Sequence, residues 1–304
     1  MPVLIAALAT AAPEPPQPLT RSPNIIHEFA LIVSSTPSLC EAFQCVLGLL
    51  YTAASVSART FVIGDIHGDL LALENLLGKL PILAEDTLVF IGDYVDRGND
   101  SKGVVDLVRD LYAERKERTV LLRGNHEDQW VESYEQADVP FLVQRLNGCM
   151  HTYRSFVGQP MLTEEESFER EEFLRYINVS SWLPAEIADW MATLQLWYED
   201  EHAIYVHAGL ELDEHGNWKH PGDCAKKPLL WMRKNEFFLG YRGKTLVFGH
   251  TPVLDLPQEP GKETDPPPDC VWKRGDLIGI DTGCGKGGFL SAVELPSGKV
   301  YESR

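Results

Sequence analysis

Five short polar clusters, each placed after a strand-like apolar run, carry the residue types needed for metal-assisted hydrolysis of a phosphoester. They read GDIHGD (Gly64 to Asp69), GDYVDRG (Gly92 to Gly98), RGNHE (Arg123 to Glu127), HAG (His207 to Gly209) and GHTP (Gly249 to Pro252). Their Asp, His and Asn side chains suffice to ligate two divalent metal ions, and their arginines suffice to hold a phosphate. Nitrogen and oxygen donors without thiolate suit manganese, the first expectation, or iron, zinc or cobalt, over a soft-metal site.

Asp65 and His67 are one residue apart. A carboxylate closing a strand and an imidazole in the next turn can face one ion, and Gly64 and Gly68 permit the tight backbone this needs. Asp93 repeats the placement behind Gly92. With one oxygen on each ion it would form the anionic bridge that two cations about 3.5–4 Å apart require. Asn125, a neutral amide ligand, and His126 follow Gly124, while His207 and His250 each end a later apolar run. Arg97 and Arg123 stand beside proposed ligands, and a guanidinium is a fixed fork of donors matched to two phosphate oxygens. Arg233, in LLWMRKNEF, is a third candidate. Each residue has an ordinary alternative: Asp65 as a helix cap, Asn125 as a turn residue, the histidines as structural hydrogen-bonding groups, the arginines as salt-bridge partners. Repetition at one topological edge is what argues for the set as a site.

The elements between the clusters explain that edge. TFVIGD, TLVFIGD and RTVLLRGN read as strands, separated by helices in LLALENLLGKL and SKGVVDLVRDLYAERKE. The first helix is expected to place Leu70, Leu73, Leu77 and Leu80 on one face and to end at Pro81; the second is apolar at 104, 105, 108 and 111. A β-α-β-α-β series implies a largely parallel sheet covered by helices, with the carboxyl ends of its strands on one edge, where such sheets bind ligands. Residues 128 to about 198 break the rhythm and read as a helical segment standing over the site. Strands return at AIYVHAG, TLVFGHT and DLIGIDTG, and FLSAVELPSG with KVYES reads as a hairpin around Pro296, Ser297 and Gly298. A proline-rich acidic loop covers residues 254 to 270.

Composition narrows the partners. The 304 residues carry 27 basic and 45 acidic side chains, a formal net charge of -18. Such a surface repels a nucleic-acid backbone, so no nucleic-acid partner is expected. Cysteines at 40, 45, 149, 224, 270 and 284 include no CxxC pair. Reduced thiols in a reducing compartment are expected, hence a cytoplasmic location, and no Cys-ligated zinc. Residues 1–58 form an N-terminal extension, partly proline-rich and of unassigned role, ahead of a catalytic domain spanning 59–304. Its apolar runs at 1–12 and 42–58 fall short of a comfortable membrane span, so no membrane partner is expected, and a cleaved signal or transit segment is the alternative to a cytoplasmic extension. Oligomeric state cannot be read from the chain.

The five clusters together resemble the signature of the phosphoprotein phosphatase family of calcineurin-like metallophosphoesterases, over roughly residues 60 to 295. The resemblance implies an α/β sandwich of two mixed β-sheets flanked by helices, with a dimetal centre at the strand ends. It implies that Asp65, His67 and Asp93 hold one metal, and that Asp93, Asn125, His207 and His250 hold the other. It assigns His126, oriented by Asp96, as general acid, Arg97 and Arg123 as phosphate ligands, and Arg233 as similar to the arginine of a Trp-x-Arg segment in bacterial members. The implied activity is phosphomonoester hydrolysis by a metal-bound hydroxide, on phosphoserine or phosphothreonine in protein or on a small phosphoester. Two departures bear on substrate. HAG stands where eukaryotic members have HGG, and IDTGCGKGG (Ile280 to Gly288) replaces their SAPNYC loop. Both features resemble the bacterial and phage branch and the symmetrical diadenosine tetraphosphate hydrolases, so a dinucleoside polyphosphate or nucleotide hydrolase is the second expectation. A non-catalytic binding protein on a degenerate fold is the third, and no missing ligand favours it.

Overall fold

A computed structural model describes residues 58–136, 139–161, 169–258 and 270–304. The expectations for residues 1–57, including both apolar runs, and for most of the proline-rich loop lie outside the described residues. The first half runs β1 (Thr60–Ile63), α1 (Leu70–Leu77), β2 (Thr87–Phe90), α2 (Ser101–Arg115) and β3 (Thr119–Leu121). Four helices follow: α3 (Asn125–Gln136), α4 (Cys149–Val157), α5 (Arg170–Ile177) and α6 (Ala185–Thr193). The second half adds β4 (Trp197–Glu199), β5 (Ile204–Val206), α7 (Lys226–Trp231), α8 (Asn235–Gly240), β6 (Leu246–Phe248), β7 (Trp272–Arg274), β8 (Leu277–Gly279), β9 (Ser291–Leu295) and β10 (Lys299–Glu302).

These strands build two mixed five-stranded sheets, ordered β10-β9-β1-β2-β3 and β4-β5-β6-β8-β7. β1, β2 and β3 pair in parallel, as the βαβ series requires, while β9 joins β1 antiparallel. Side chains along a strand alternate between faces, and the core divides accordingly. Phe61, Ile63, Leu88, Phe90 and Leu121 pack with the helices of the first half. Val62, Val89 and Val120 point the other way and meet Tyr205 and Val247 from the second sheet and Ile280 just beyond β8. Ile204, Val206, Leu246 and Phe248 then face α7 and α8. The result is an α/β sandwich with one apolar layer between the sheets and one outside each.

Three details differ from expectation. α1 stops at Leu77 because Gly78 closes it, donating its N–H to Glu74 O. Its buried residues are therefore Leu73 and Leu76, with Leu70 and Leu77 half-buried and Leu80 buried beyond the helix. The helical segment starts earlier than 128, since α3 begins at Asn125, and it yields to β4 at Trp197. β7 was not expected; it pairs antiparallel with β8. No helix among the described residues is long and apolar enough to cross a membrane. The four described cysteines, Cys149, Cys224, Cys270 and Cys284, are free thiols.

Candidate active site

Every cluster leaves the carboxyl end of a strand. Asp65 follows β1, Asp93 follows β2, Asn125 and His126 open α3 after β3, and His207 and His250 follow β5 and β6. Asp69, not Asp65, caps α1, its carboxylate accepting from Ala72 N at 3.0 Å. That removes the capping alternative for Asp65.

The backbone that presents these residues is strained. Six described non-glycine residues have positive φ, and five of them are site candidates: His67, Asp93, Asp96, Arg97 and His250. This left-handed conformation costs about 1–2 kcal/mol per residue, so the surroundings must hold it. Buried Glu127 does much of that. One of its carboxylate oxygens accepts from Asp93 N and Gly124 N, both at 2.9 Å, and the other accepts from Tyr94 N at 2.8 Å and Val95 N at 3.4 Å. Burial and then the Asp93 charge push the Glu127 carboxyl up, and the N–H donors of Asp93, Gly124 and Tyr94 pull it back toward the ionised form that accepts from them. Close approach also fixes two glycines. A Cβ on Gly124 would lie 2.1 Å from Asp93 Oδ1, and one on Gly249 would lie 1.9 Å from Asp65 Oδ1.

The donors fall into two groups that share Asp93. His67, Asp93 and His126 can place one donor atom each within 4.8 Å of one another, and so can Asp93, His207 and His250. His67 Nε2 is 3.4 Å from Asp93 Oδ2, and His207 Nε2 is 3.5 Å from Asp93 Oδ1. Asn125 Oδ1 joins the second group, 3.0 Å from His207 Nε2 and 2.8 Å from His250 Nδ1. Asp65 stands outside both groups; its Oδ2 accepts from His250 N at 2.9 Å, while its buried Oδ1 has no hydrogen-bond partner.

Proton positions test the fit to cations. His207 Nδ1 donates to Ile91 O at 2.9 Å, and burial holds this imidazole below its ordinary pKa, hence neutral. Its Nε2 therefore carries a lone pair, and it faces the lone pairs of Asn125 Oδ1. His67 follows the same rule: Nδ1 donates to Val95 O at 3.0 Å, burial and then Arg97 hold the ring neutral, and Nε2 faces Asp93. Burial likewise lowers His250. Burial opposes ionisation of Asp93, but its surroundings, the fixed charge of Arg97 among them, hold its carboxyl well below the usual range. The buried nitrogen and oxygen acceptors that converge on Asp93 in two groups are a donor set that fits divalent cations.

Arg97 enters this cluster. Its Nη1 donates to His67 Nε2 and its Nη2 donates to His126 Nε2, the latter at 3.1 Å. Arg123 does not join it; Nη1 donates to Asp128 Oδ1 at 3.1 Å and Nη2 donates to Ala192 O. Arg233 is exposed and donates to His250 O at 2.9 Å.

His126 Nδ1 donates to Asp96 Oδ2 at 2.5 Å, leaving Nε2 toward Arg97 and Asp93. Asp96 is fully buried and saturated: Trp130 Nε1 and Thr152 Oγ1 donate to Oδ1 at 3.0 and 2.6 Å, and Cys149 Sγ donates to Oδ2 at 3.3 Å. Sequence reasoning missed Glu127, Trp130, Cys149 and Thr152. Trp130 had a signal, since it lies four residues after His126 on one helix face. Cys149 and Thr152 lie more than fifty residues from Asp96, and no local pattern announces them.

A family model described as calcineurin-like phosphoesterase matches residues 58–254. A solved structure, "Crystal structure of a putative diadenosine tetraphosphatase", has a TM-score of 0.54 at 21% identity and covers 82% of this chain and 94% of its own. A serine/threonine phosphatase from Saccharomyces cerevisiae with similarity to human phosphatase PP5 has a TM-score of 0.48 at 18% identity, covering 82% and 81%. A cold-active protein-tyrosine phosphatase of a psychrophile Shewanella species has a TM-score of 0.47 at 16% identity, covering 81% and 80%. The first of these shares the fold of the present chain, and at that identity the likeness is one of fold alone.

Proposed function

This chain belongs to the calcineurin-like phosphoesterase family, which makes it a metallophosphoesterase, and from that premise we propose that it hydrolyses phosphoserine or phosphothreonine esters. The observation that carries the reading is the buried His126–Asp96 pair, at 2.5 Å, placed against Arg97 and the shared carboxylate of Asp93. Asp65, His67 and Asp93 would hold one cation, and Asp93, Asn125, His207 and His250 the other; manganese is the first candidate. When bound, two such ions supply Lewis-acid polarisation of the phosphoryl oxygens and activation of the attacking water.

The chain's own residues do the rest. Arg97 offers a fork of donors to two equatorial phosphoryl oxygens as their charge grows. Asp96 holds the His126 ring through Nδ1, so that Nε2 can deliver a proton to the departing alkoxide oxygen. Arg123 becomes a second phosphate donor once Asp128 releases it, and Arg233 a third donor at the rim. On this reading the catalytic unit spans 59–304.

A second reading is hydrolysis of a dinucleoside polyphosphate, favoured by Lys286. Its ammonium is lowered by burial and then by the Arg97 charge, and is drawn on by Asp281, Asp65 and Asp93. Lys286 as a whole is exposed, and a cation there in addition to Arg97 suits a substrate with more than one phosphate. The deciding experiment strips the purified protein with EDTA, restores Mn²⁺, and compares a phosphoserine peptide with diadenosine tetraphosphate. Higher kcat/KM on the peptide supports the first reading and the reverse result the second. Turnover of neither substrate, with both ions bound, overturns the assignment.

A further inference from the structure

The loop from Ile280 to Phe289 carries a carboxylate that no step above uses. Ile280 N donates to Phe248 O at 2.8 Å at the end of β6, and Asp281 O accepts from Val253 N at 2.9 Å. A Cβ on Gly64 would lie 2.6 Å from Ile280 O, so the chain at Asp281 passes close beside the chain at Asp65. Asp281 is 1% exposed. Its Oδ1 accepts from Gly283 N at 3.0 Å, but its buried Oδ2 has no hydrogen-bond partner. Asp65 Oδ1 is buried and unpartnered in the same way. Of the charges acting on Asp65, that of Asp281 is the strongest, ahead of Asp93. Leaving a carboxylate oxygen buried and unpaired is costly, and two together are costlier still unless a cation balances them.

We propose that Asp281 is a further carboxylate of the metal centre, its Oδ2 serving the cation position of Asp65, His67 and Asp93. This rests on the metallophosphoesterase reading above. Asp281 would add negative charge at that position, whereas the other position has the neutral Asn125. It thereby strengthens the position that has fewer imidazoles and lies nearest Arg97.

The test titrates the EDTA-stripped full chain with Mn²⁺ by calorimetry and follows thermal unfolding with and without the ion. Asp281→Asn keeps an oxygen for Gly283 N and removes only the charge. One of two Mn²⁺ sites should weaken by about 10- to 100-fold, the loss typical of outer metal partners. It should be the same site that Asp65→Asn weakens. The metal-free melting temperature should hold or rise, because a buried charge has gone, while the Mn²⁺-induced rise shrinks. A purely structural role predicts the opposite pattern, a lower metal-free melting temperature with both Mn²⁺ affinities unchanged, and that result overturns the proposal. Should the Asn variant not fold, Asp281→Ser is titrated against the same two outcomes. Wild-type protein that takes up no Mn²⁺ overturns the functional reading and this inference together. Two wild-type sites unaffected by the change overturn this inference alone.

Discussion

At the scale of single residues, His126 and Glu127 are neighbours with opposite duties. His126 could serve as a ligand on distance alone, since it forms a group with His67 and Asp93. Asp96 on Nδ1 instead orients the ring, and Nε2, which here accepts from Arg97, would take up a proton in place of that bond to act as the proposed acid. His126→Gln should therefore retain both ions and lose about 10²- to 10⁴-fold in turnover on an alkyl phosphate. An aryl phosphate, whose leaving group scarcely needs a proton, should lose far less. Equal losses with metals intact would leave His126 only a charge-stabilising role, and loss of an ion would make it a ligand. Glu127 acts on the backbone. Its two oxygens accept from four N–H groups around Asp93. Glu127→Gln turns donors toward donors on one side, leaving two buried N–H groups unpaired at about 1–3 kcal/mol each. Denaturant unfolding of the metal-free variant should show that loss, and Mn²⁺ affinity should fall because the strained Asp93 backbone is no longer held. A change under 0.5 kcal/mol would refute the bracing role.

At the scale of elements, the strands were legible because each apolar run stops at a Gly-Asp, Gly-Asn or His cluster. Alternate faces of β1 and β2 are apolar on both sides, as a buried central strand must be. β4 was not legible. Its three residues, Trp197 to Glu199, are all half-buried and give no alternation. The end of α1 was misplaced because leucine spacing continued past Gly78 while the backbone did not. The residues that gather around Asp93 were legible as clusters, but the layer behind them was not, since α4 reaches Asp96 through tertiary packing alone. One contact fixes how β1 and β2 start. Arg59 Nη2 meets Asp86 Oδ2 at 2.6 Å, and the same carboxylate accepts from Leu83 N at 2.7 Å. Burial alone would raise the Asp86 carboxyl, but the Arg59 guanidinium and the backbone donors hold it below its usual range. A carboxyl lowered in the folded state contributes stability above its unfolded value of 3.8, and that contribution is lost as pH falls through the folded value. Asp86→Asn should therefore cost about 1–2 kcal/mol at pH 7, and the difference from wild type should close in acid below pH 3. A pH-independent difference would mean the pair acts through packing.

At the scale of the whole molecule, the helices between β3 and β4 join the site to a cleft. α3 begins with Asn125 and His126 and carries Asp128 and Glu132 on one face, four residues apart. Lys226, at the start of α7, reaches both: Nζ is 3.0 Å from Asp128 Oδ2 and 3.4 Å from Glu132 Oε1. Together with Gln129, Leu230 and Trp231 they line a cavity of about 420 Å³, within the size range of small-ligand sites. Trp231 carries the cleft to the metal-ligand candidates, its ring 5.7 Å from that of His250. Asp128 also holds Arg123, so a charge relay runs from a phosphate-binding candidate to the cleft wall. A small chromogenic phosphate ends at the metals, whereas a phosphopeptide or dinucleotide must lay its remainder along a wall. Lys226→Met removes the cation that shares Asp128, which tightens Asp128 on Arg123 and leaves Glu132 unbalanced in the cleft. KM for the large substrates should shift about three- to tenfold, equivalent to roughly 0.7–1.4 kcal/mol. Turnover of the chromogenic phosphate should stay within about twofold. Steady-state kinetics on both substrates with one preparation measures this, and equal changes on large and small substrates would place substrate binding on another face of the site.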